Sequence, residues 1–214
     1  GISPPQQTIN QLMRDYALQG KLVVRLKGGD VSVFSNMLDE LQVLAQNNIA
    51  YEIIPGVTAA LGAAACAGIP LTARGYSTAV RLLTYYKSDV VPDQYWQEIA
   101  GTNDTLVFYM SAETVEGIVS KLIRYGVGRD KHIAVIEQAT TPLQQVHTAN
   151  IYDYSEQFRN LSFISPSLVI IGKVVALHEQ FAWLTNTPER AQYFKSIASL
   201  QNNTHNQQAH VSRA

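Results

Sequence analysis

Residues 21–34 read KLVVRLKGGDVSVF, and within that span the chain passes from an apolar run to a charged glycine turn. Leu22-Val23-Val24 has the β-branched character that suits a buried strand. Arg25 and Lys27 then bring positive charge, and Gly28-Gly29-Asp30 ends the run. Paired glycines admit backbone conformations closed to other residues and let a ligand approach main-chain N–H and C=O groups with no Cβ in the way. A strand that stops at such a turn, with a helix after it, places the turn at the carboxyl edge of an α/β sheet, where these folds take ligands. A plain strand-to-helix turn is the competing reading. Neither GxGxxG nor a Walker lysine pattern is present, so the turn is not the fingerprint of a dinucleotide or P-loop phosphate site.

Working outward from this turn, strand-like and helix-like segments alternate. Upstream, Ile9, Leu12, Met13, Tyr16 and Ala17 predict an amphipathic helix over 7–19, closed by Gly20. Downstream, Met37, Leu41, Leu44 and Ala45 predict a second helix, and 51–54 a short strand that stops at Pro55-Gly56. Residues 57–68, VTAALGAAACAG, form a helix of small residues that neighbouring backbone or a ligand can approach closely, with the Thr58 hydroxyl in its first turn. Residues 69–75, IPLTARG, break regularity and read as a link between lobes. Strands are then predicted at 80–85, 104–110, 133–137 and 168–171, with an antiparallel edge strand at 143–151. Helices are predicted at 94–100, 113–125 and 174–184. Residues 189–200 are read as a loosely attached helix and the last dozen as a solvated tail. The class is α/β, expected as two lobes with a ligand cleft between them: 1–74, the remainder of an N-terminal lobe; 75–185, the C-terminal lobe; and 186–214, a polar extension.

Composition narrows the function. The 214 residues carry 16 Lys plus Arg against 17 Asp plus Glu, a balance that argues against a nucleic-acid or membrane-surface partner. No apolar run approaches the roughly 18 residues of a membrane span. The single cysteine, Cys66, has no internal partner, which suits a reducing cytoplasm, and its apolar setting is that of a small core residue rather than a nucleophile. His132, His147, His178, His205 and His210 show no metal-ligand spacing, so no metal is expected. GxSxG is absent. Asp30, Glu52 and Glu137 stand near strand ends, where each suits a base or a ligand hydroxyl and equally a cap or turn. Arg25, Lys27, Arg74, Arg81 and Lys87 would suit a polycarboxylate if they converged.

Taken in order, VVRLKGGD, EIIPGVTAA, AGIPLTARGYS, DTLVFYM, IEQATTPLQ and SLVIIGKVVAL resemble the uroporphyrinogen-III C-methyltransferases, the tetrapyrrole methylases that also form the methylating module of siroheme synthase. The resemblance covers residues 6–184. It implies S-adenosylmethionine as methyl donor, a tetrapyrrole as small-molecule substrate, a cytoplasmic homodimer, and C-methylation of uroporphyrinogen III to precorrin-2. By position it assigns Gly28, Gly29, Asp30, Val33, Thr58, Ala59, Met110 and Ala139 to the donor, and Arg25 and Arg74 to substrate carboxylates. A methylase of a later cobalamin precursor and a non-catalytic S-adenosylmethionine-binding module are the alternatives. The chain departs from the family at Asn36, where an arginine is usual, at Ala73 for histidine, at Tyr85-Tyr86 after Thr84, and at Ala139 for glycine. The resemblance further implies that a glycine-rich strand–turn and the acid and base groups precede the equivalent of Gly1. The sequence is therefore expected to be the later part of a longer protein, with catalytic residues upstream.

Overall fold

The computed structural model describes residues 5–86, 91–110 and 113–194. They fall into two compact units, one running to Thr58 and also taking in Phe194, the other spanning Ala59–Tyr193. The division at Thr58 differs from the lobe limit at Arg74 read from sequence, because the small-residue helix groups with the later segments.

The first unit holds α1 (Gln6–Leu18) and α2 (Met37–Gln46). Both helices follow the predicted periodicity, and Met13 of α1 and Leu44 of α2 are buried. The strands expected at 22–24 and 51–54 do not form. β propensity is realised only against a hydrogen-bonded neighbour, and neither segment has one among the described residues. Leu22 is 94% exposed, Val24 71% and Ile54 67%, and a cavity of about 420 Å³ is lined by Leu22, Val24, Ile53 and Ile54.

The second unit begins with α3 (Ala59–Cys66), whose Ala60, Ala63 and Ala64 are buried. It continues through β1 (Val80–Thr84), α4 (Asp93–Gly101), β2 (Thr105–Tyr109), α5 (Val115–Arg124), β3 (His132–Glu137), β4 (Gln145–Asn150), a 3-10 turn at Ile151–Asp153, α6 (Tyr154–Gln157) and β5 (Ser167–Gly172). The strands form one sheet in the order β1-β2-β5-β3-β4. β1 runs parallel to β2, β5 antiparallel to β2 and β3, and β4 antiparallel to β3. β4 is therefore the antiparallel edge strand that its alternating sequence predicts. The register aligns Leu106 with Ile171 and Ile171 with Ile133, then Phe108 with Val169 and Val169 with Val135. With a side-chain period of two, these rows share one face. They pack with Trp96 and Ile99 of α4, Ile118 and Leu122 of α5 and Tyr154 of α6 into the main hydrophobic cluster. Val107, Ala134 and Ile170 belong to the opposite face and are equally buried. A sheet covered on both faces accounts for the near-continuous apolar strands.

The helix expected at 174–184 is shorter than its pattern. A 3-10 turn spans Lys173–Leu177, α7 is His178–Phe181, and Ala182 is already extended. Tertiary packing overrides propensity here. Gly68, at φ +64° just past α3, leaves a space where a Cβ would lie 2.2 Å from the Phe181 carbonyl oxygen. His178 Nδ1 lies 2.6 Å from the Ala67 carbonyl oxygen, and Trp183 Nε1 donates to that of Ala65 at 2.9 Å. Cys66 is half-buried rather than a fully enclosed core residue. Residues 189–194 are not helical. Residues 195–200 of the helix expected there, the tail beyond them with His205 and His210, and Lys87 lie outside the described residues.

Candidate functional site

In the first unit the glycine turn is organised by Asp30. Its Oδ1 accepts from the Ser32 backbone N–H at 2.8 Å and from the Ser32 hydroxyl, while Oδ2 accepts from the Gly56 backbone N–H at 3.0 Å. The sequence thus places GGD and the later Pro55-Gly56 turn side by side. A Cβ on Gly56 would lie 2.9 Å from the Gly29 carbonyl oxygen and 3.2 Å from the Asp30 nitrogen, so only glycine permits the approach. The Ser32 hydroxyl, then the Gly56 and Ser32 amides, hold the Asp30 carboxyl below its ordinary pKa. Val33 sits on the same turn, its N–H directed at the Asp30 carbonyl at 3.4 Å. Thr58 is buried at the end of this unit.

Arg25 and Lys27 converge, but on a carboxylate of the protein itself. Arg25 Nε donates to Glu40 Oε1 at 3.1 Å, and Lys27 Nζ reaches Glu40 at 2.8 Å. Gln6 Nε2 adds a bond at 3.0 Å. Glu40 lies in the first turn of α2, where the helix dipole favours an anion. Burial opposes its ionised form, yet the hydrogen bonds from Lys27, Gln6 and Arg25 prevail and leave its pKa lowered. Arg81 likewise pairs internally, with Glu98 and Asp104 at 2.6 Å each. Arg74 is exposed at the tip of the turn closed by the Ala73–Ser77 bridge, and no hydrogen bond or ion pair to it is found among the described residues. Arg25 and Lys27 of the first unit thus meet at Glu40, and Arg81 of the second unit at Glu98 and Asp104.

In the second unit the strand directions bring the carboxyl ends of β1, β2 and β3 to one sheet edge. Met110 leaves β2 there at φ +53°, with the Tyr86 hydroxyl 3.3 Å from its sulfur. Ala139 leaves β3 between Gln138 at φ +47° and Thr140 at φ +68°. The start of α3 lies at the same edge. The Ala60 N–H donates to the Tyr109 hydroxyl at 3.2 Å, and a Cβ on Gly62 would lie 3.4 Å from the Thr140 methyl. Ala59, Met110 and Ala139, far apart in sequence, are thus gathered at one end of this unit. Tyr109 and Gln138, which shape that edge, escaped the sequence reading, because nothing in a buried tyrosine or a loop glutamine announces its partner. Glu137, at the end of β3, is fully buried and accepts from the Ile164 N–H at 2.8 Å and from Arg190 at 3.1 Å, the structural role rather than the base. Among the described residues no group of three or more His, Cys, Asp or Glu side chains is placed to hold a metal ion.

A model of the Tetrapyrrole (Corrin/Porphyrin) Methylases matches residues 3–154. The chain belongs to the tetrapyrrole methylases. The siroheme synthase of Saccharophagus degradans is 42% identical over 179 residues, which are 84% of this chain and 39% of that protein. The methylase chain therefore spans about two fifths of the length of the siroheme synthases it matches. Among solved structures, the uroporphyrin-III C-methyltransferase of Thermus thermophilus superimposes with a TM-score of 0.70 at 29% identity, covering 85% of this chain and 77% of that one. The same enzyme complexed with S-adenyl homocysteine gives a TM-score of 0.67 at 29% identity over 80% of this methylase chain and 75% of that one.

Proposed function

We propose that this chain is the methylating part of an enzyme that transfers methyl groups from S-adenosylmethionine to carbons of uroporphyrinogen III, yielding precorrin-2 for siroheme or cobalamin. The observation that carries the reading is the turn held by Asp30 and Gly56, in a chain that belongs to a methylase family and is similar to an enzyme solved with S-adenyl homocysteine. Gly28, Gly29, Asp30, Val33, Thr58, Ala59, Met110 and Ala139 are the proposed donor residues. Bare backbone at Gly28-Gly29 offers N–H and C=O groups to polar parts of the donor. Asp30 acts by positioning, since both of its oxygens are engaged within the turn. The donor supplies a sulfonium methyl that is already activated, so the protein has chiefly to hold methyl and carbon in line and accept a proton. Arg74 is the proposed contact for substrate carboxylates. Arg25, committed to Glu40, supports the turn before it touches any ligand.

The lobes 1–74 and 75–185, with the extension 186–214, are retained as functional divisions. A cytoplasmic homodimer is part of the proposal, and a sequence with a single cysteine is in keeping with a reducing compartment. No helix among the described residues is long and apolar enough to cross a membrane. Full-length protein incubated with S-adenosylmethionine and uroporphyrinogen III is expected to give a product heavier by two methyl groups. Donor binding with no methylated product would instead establish a non-catalytic binding module, for which the Asn36 and Ala73 departures speak.

A further inference from the structure

We propose that residues 186–193 form a strap that latches the loop after β3, and that Arg190 is the positioning residue through which the strap holds this loop for the donor. The proposal rests on the reading of Ala139 as a donor contact.

The strap is anchored first on the edge of the sheet. The Asn186 side chain accepts from the Val146 N–H at 2.7 Å and donates to the Val146 carbonyl at 2.9 Å, so one amide takes the place of a neighbouring strand residue on β4. Gln145 Nε2 adds a bond to the Thr187 carbonyl at 2.6 Å. The strap then crosses the end of β3. Arg190 donates to the Glu137 carboxylate at 3.1 and 3.4 Å and to the Ser162 carbonyl at 3.0 Å. Beyond it, the Gln138 side chain donates to the Ala191 carbonyl at 2.9 Å and accepts from the Tyr193 N–H at 2.7 Å.

These contacts fall on the two residues that lead into Ala139. Glu137 is fully buried, and a carboxylate so placed needs a compensating cation. His147 stands 3.7 Å away, but burial against Phe158 and Phe163 pushes its pKa down, leaving Arg190 as the cation within hydrogen-bond reach among the described residues. Gln138 and Thr140 are non-glycine residues at positive φ, a conformation that persists only where surroundings enforce it. The loop contributes part of that enforcement: the Thr141 hydroxyl and N–H donate to the Gln138 carbonyl at 2.8 and 3.3 Å, the Thr140 N–H to Gln144 Oε1 at 2.9 Å, and the Gln138 N–H to the Pro166 carbonyl at 2.7 Å. The strap adds the hold on the Gln138 side chain, gripping its amide through both the nitrogen and the oxygen. Releasing Arg190 leaves the Glu137 charge without its cation, loosens the strap where it crosses β3 and lets the loop spend less time in its bound shape. Apparent donor affinity falls in proportion to that time.

The test compares full-length wild type, Arg190→Ala and Arg190→Lys by calorimetric titration with S-adenosylhomocysteine and by amide hydrogen exchange over residues 138–144. Arg190→Ala is expected to speed exchange in the loop and raise Kd about fivefold or more, with Arg190→Lys recovering part of the loss. Equal Kd values in wild type and Arg190→Ala would overturn the positioning role while leaving the donor site standing, even if melting temperature fell. A wild type that does not bind S-adenosylhomocysteine would overturn both.

Discussion

The carboxylate of Asp30 accepts the backbone N–H of Gly56 at 3.0 Å across 26 residues of sequence, tying the glycine turn to the proline turn that precedes the small-residue helix. A Cβ on Gly56 would stand 2.9 Å from the Gly29 carbonyl oxygen, a backbone atom that cannot swing aside. Gly56→Ala is expected to push the turns apart, destabilising the protein by about 1–3 kcal/mol and weakening S-adenosylhomocysteine binding. Thermal denaturation and titration of the variant check both effects. An unchanged melting temperature would show that the two turns are not in contact.

Glu40 is the electrostatic centre of the first unit, with Lys27, Arg25 and Gln6 on one buried carboxylate. Glu40→Ala leaves the largely buried Lys27 without its counter-charge and is expected to cost about 3 kcal/mol at neutral pH in urea denaturation. Because the folded-state pKa of Glu40 is lowered, its contribution is complete above the unfolded value of 4.5 and is lost as pH falls through the folded value. The gap between wild type and variant should therefore narrow as pH falls below the unfolded value of 4.5. A gap independent of pH would mean that packing, not charge, holds Glu40 in place.

Tyr109 connects β2 to α3 through one hydroxyl that accepts the Ala60 N–H at 3.2 Å. Tyr109→Phe keeps the ring and removes that acceptor from a buried amide, and a loss of about 1–2 kcal/mol is expected in urea denaturation. Donor affinity should fall as well, since the start of α3 would lose its tie to the strand that carries Met110. Full stability in the variant would show that another group serves Ala60.

The second unit was largely legible in the sequence. Its strands carry continuous apolar runs because both faces of the sheet are covered, and α5 shows a full helical stripe from Val115 to Leu122. The first unit was less so. Leu22-Val23-Val24 and Tyr51–Ile54 have strand composition, but composition does not supply a partner, and those side chains stand exposed. The residues around 174–184 have helical spacing, yet the fit of Phe181 against Gly68 ends the helix early. Gly29 and Asp30 of the glycine turn lie against Gly56 of the PGVT segment, an approach that local spacing alone does not announce. Glu137 with Arg190, and Gln138 with Tyr193, join positions too far apart in sequence for any spacing rule to pair.

The most direct measurement is a calorimetric titration of the full-length protein with S-adenosylhomocysteine, run beside Asp30→Ala. Saturable binding by the wild type, with Kd raised about tenfold in the variant, is the predicted result, since without the Asp30 carboxylate the turn loses the bonds from Ser32 and Gly56 that hold its shape. Absence of binding by the wild type, or equal affinity in the two proteins, would contradict the assignment of the Asp30 turn to the methyl donor.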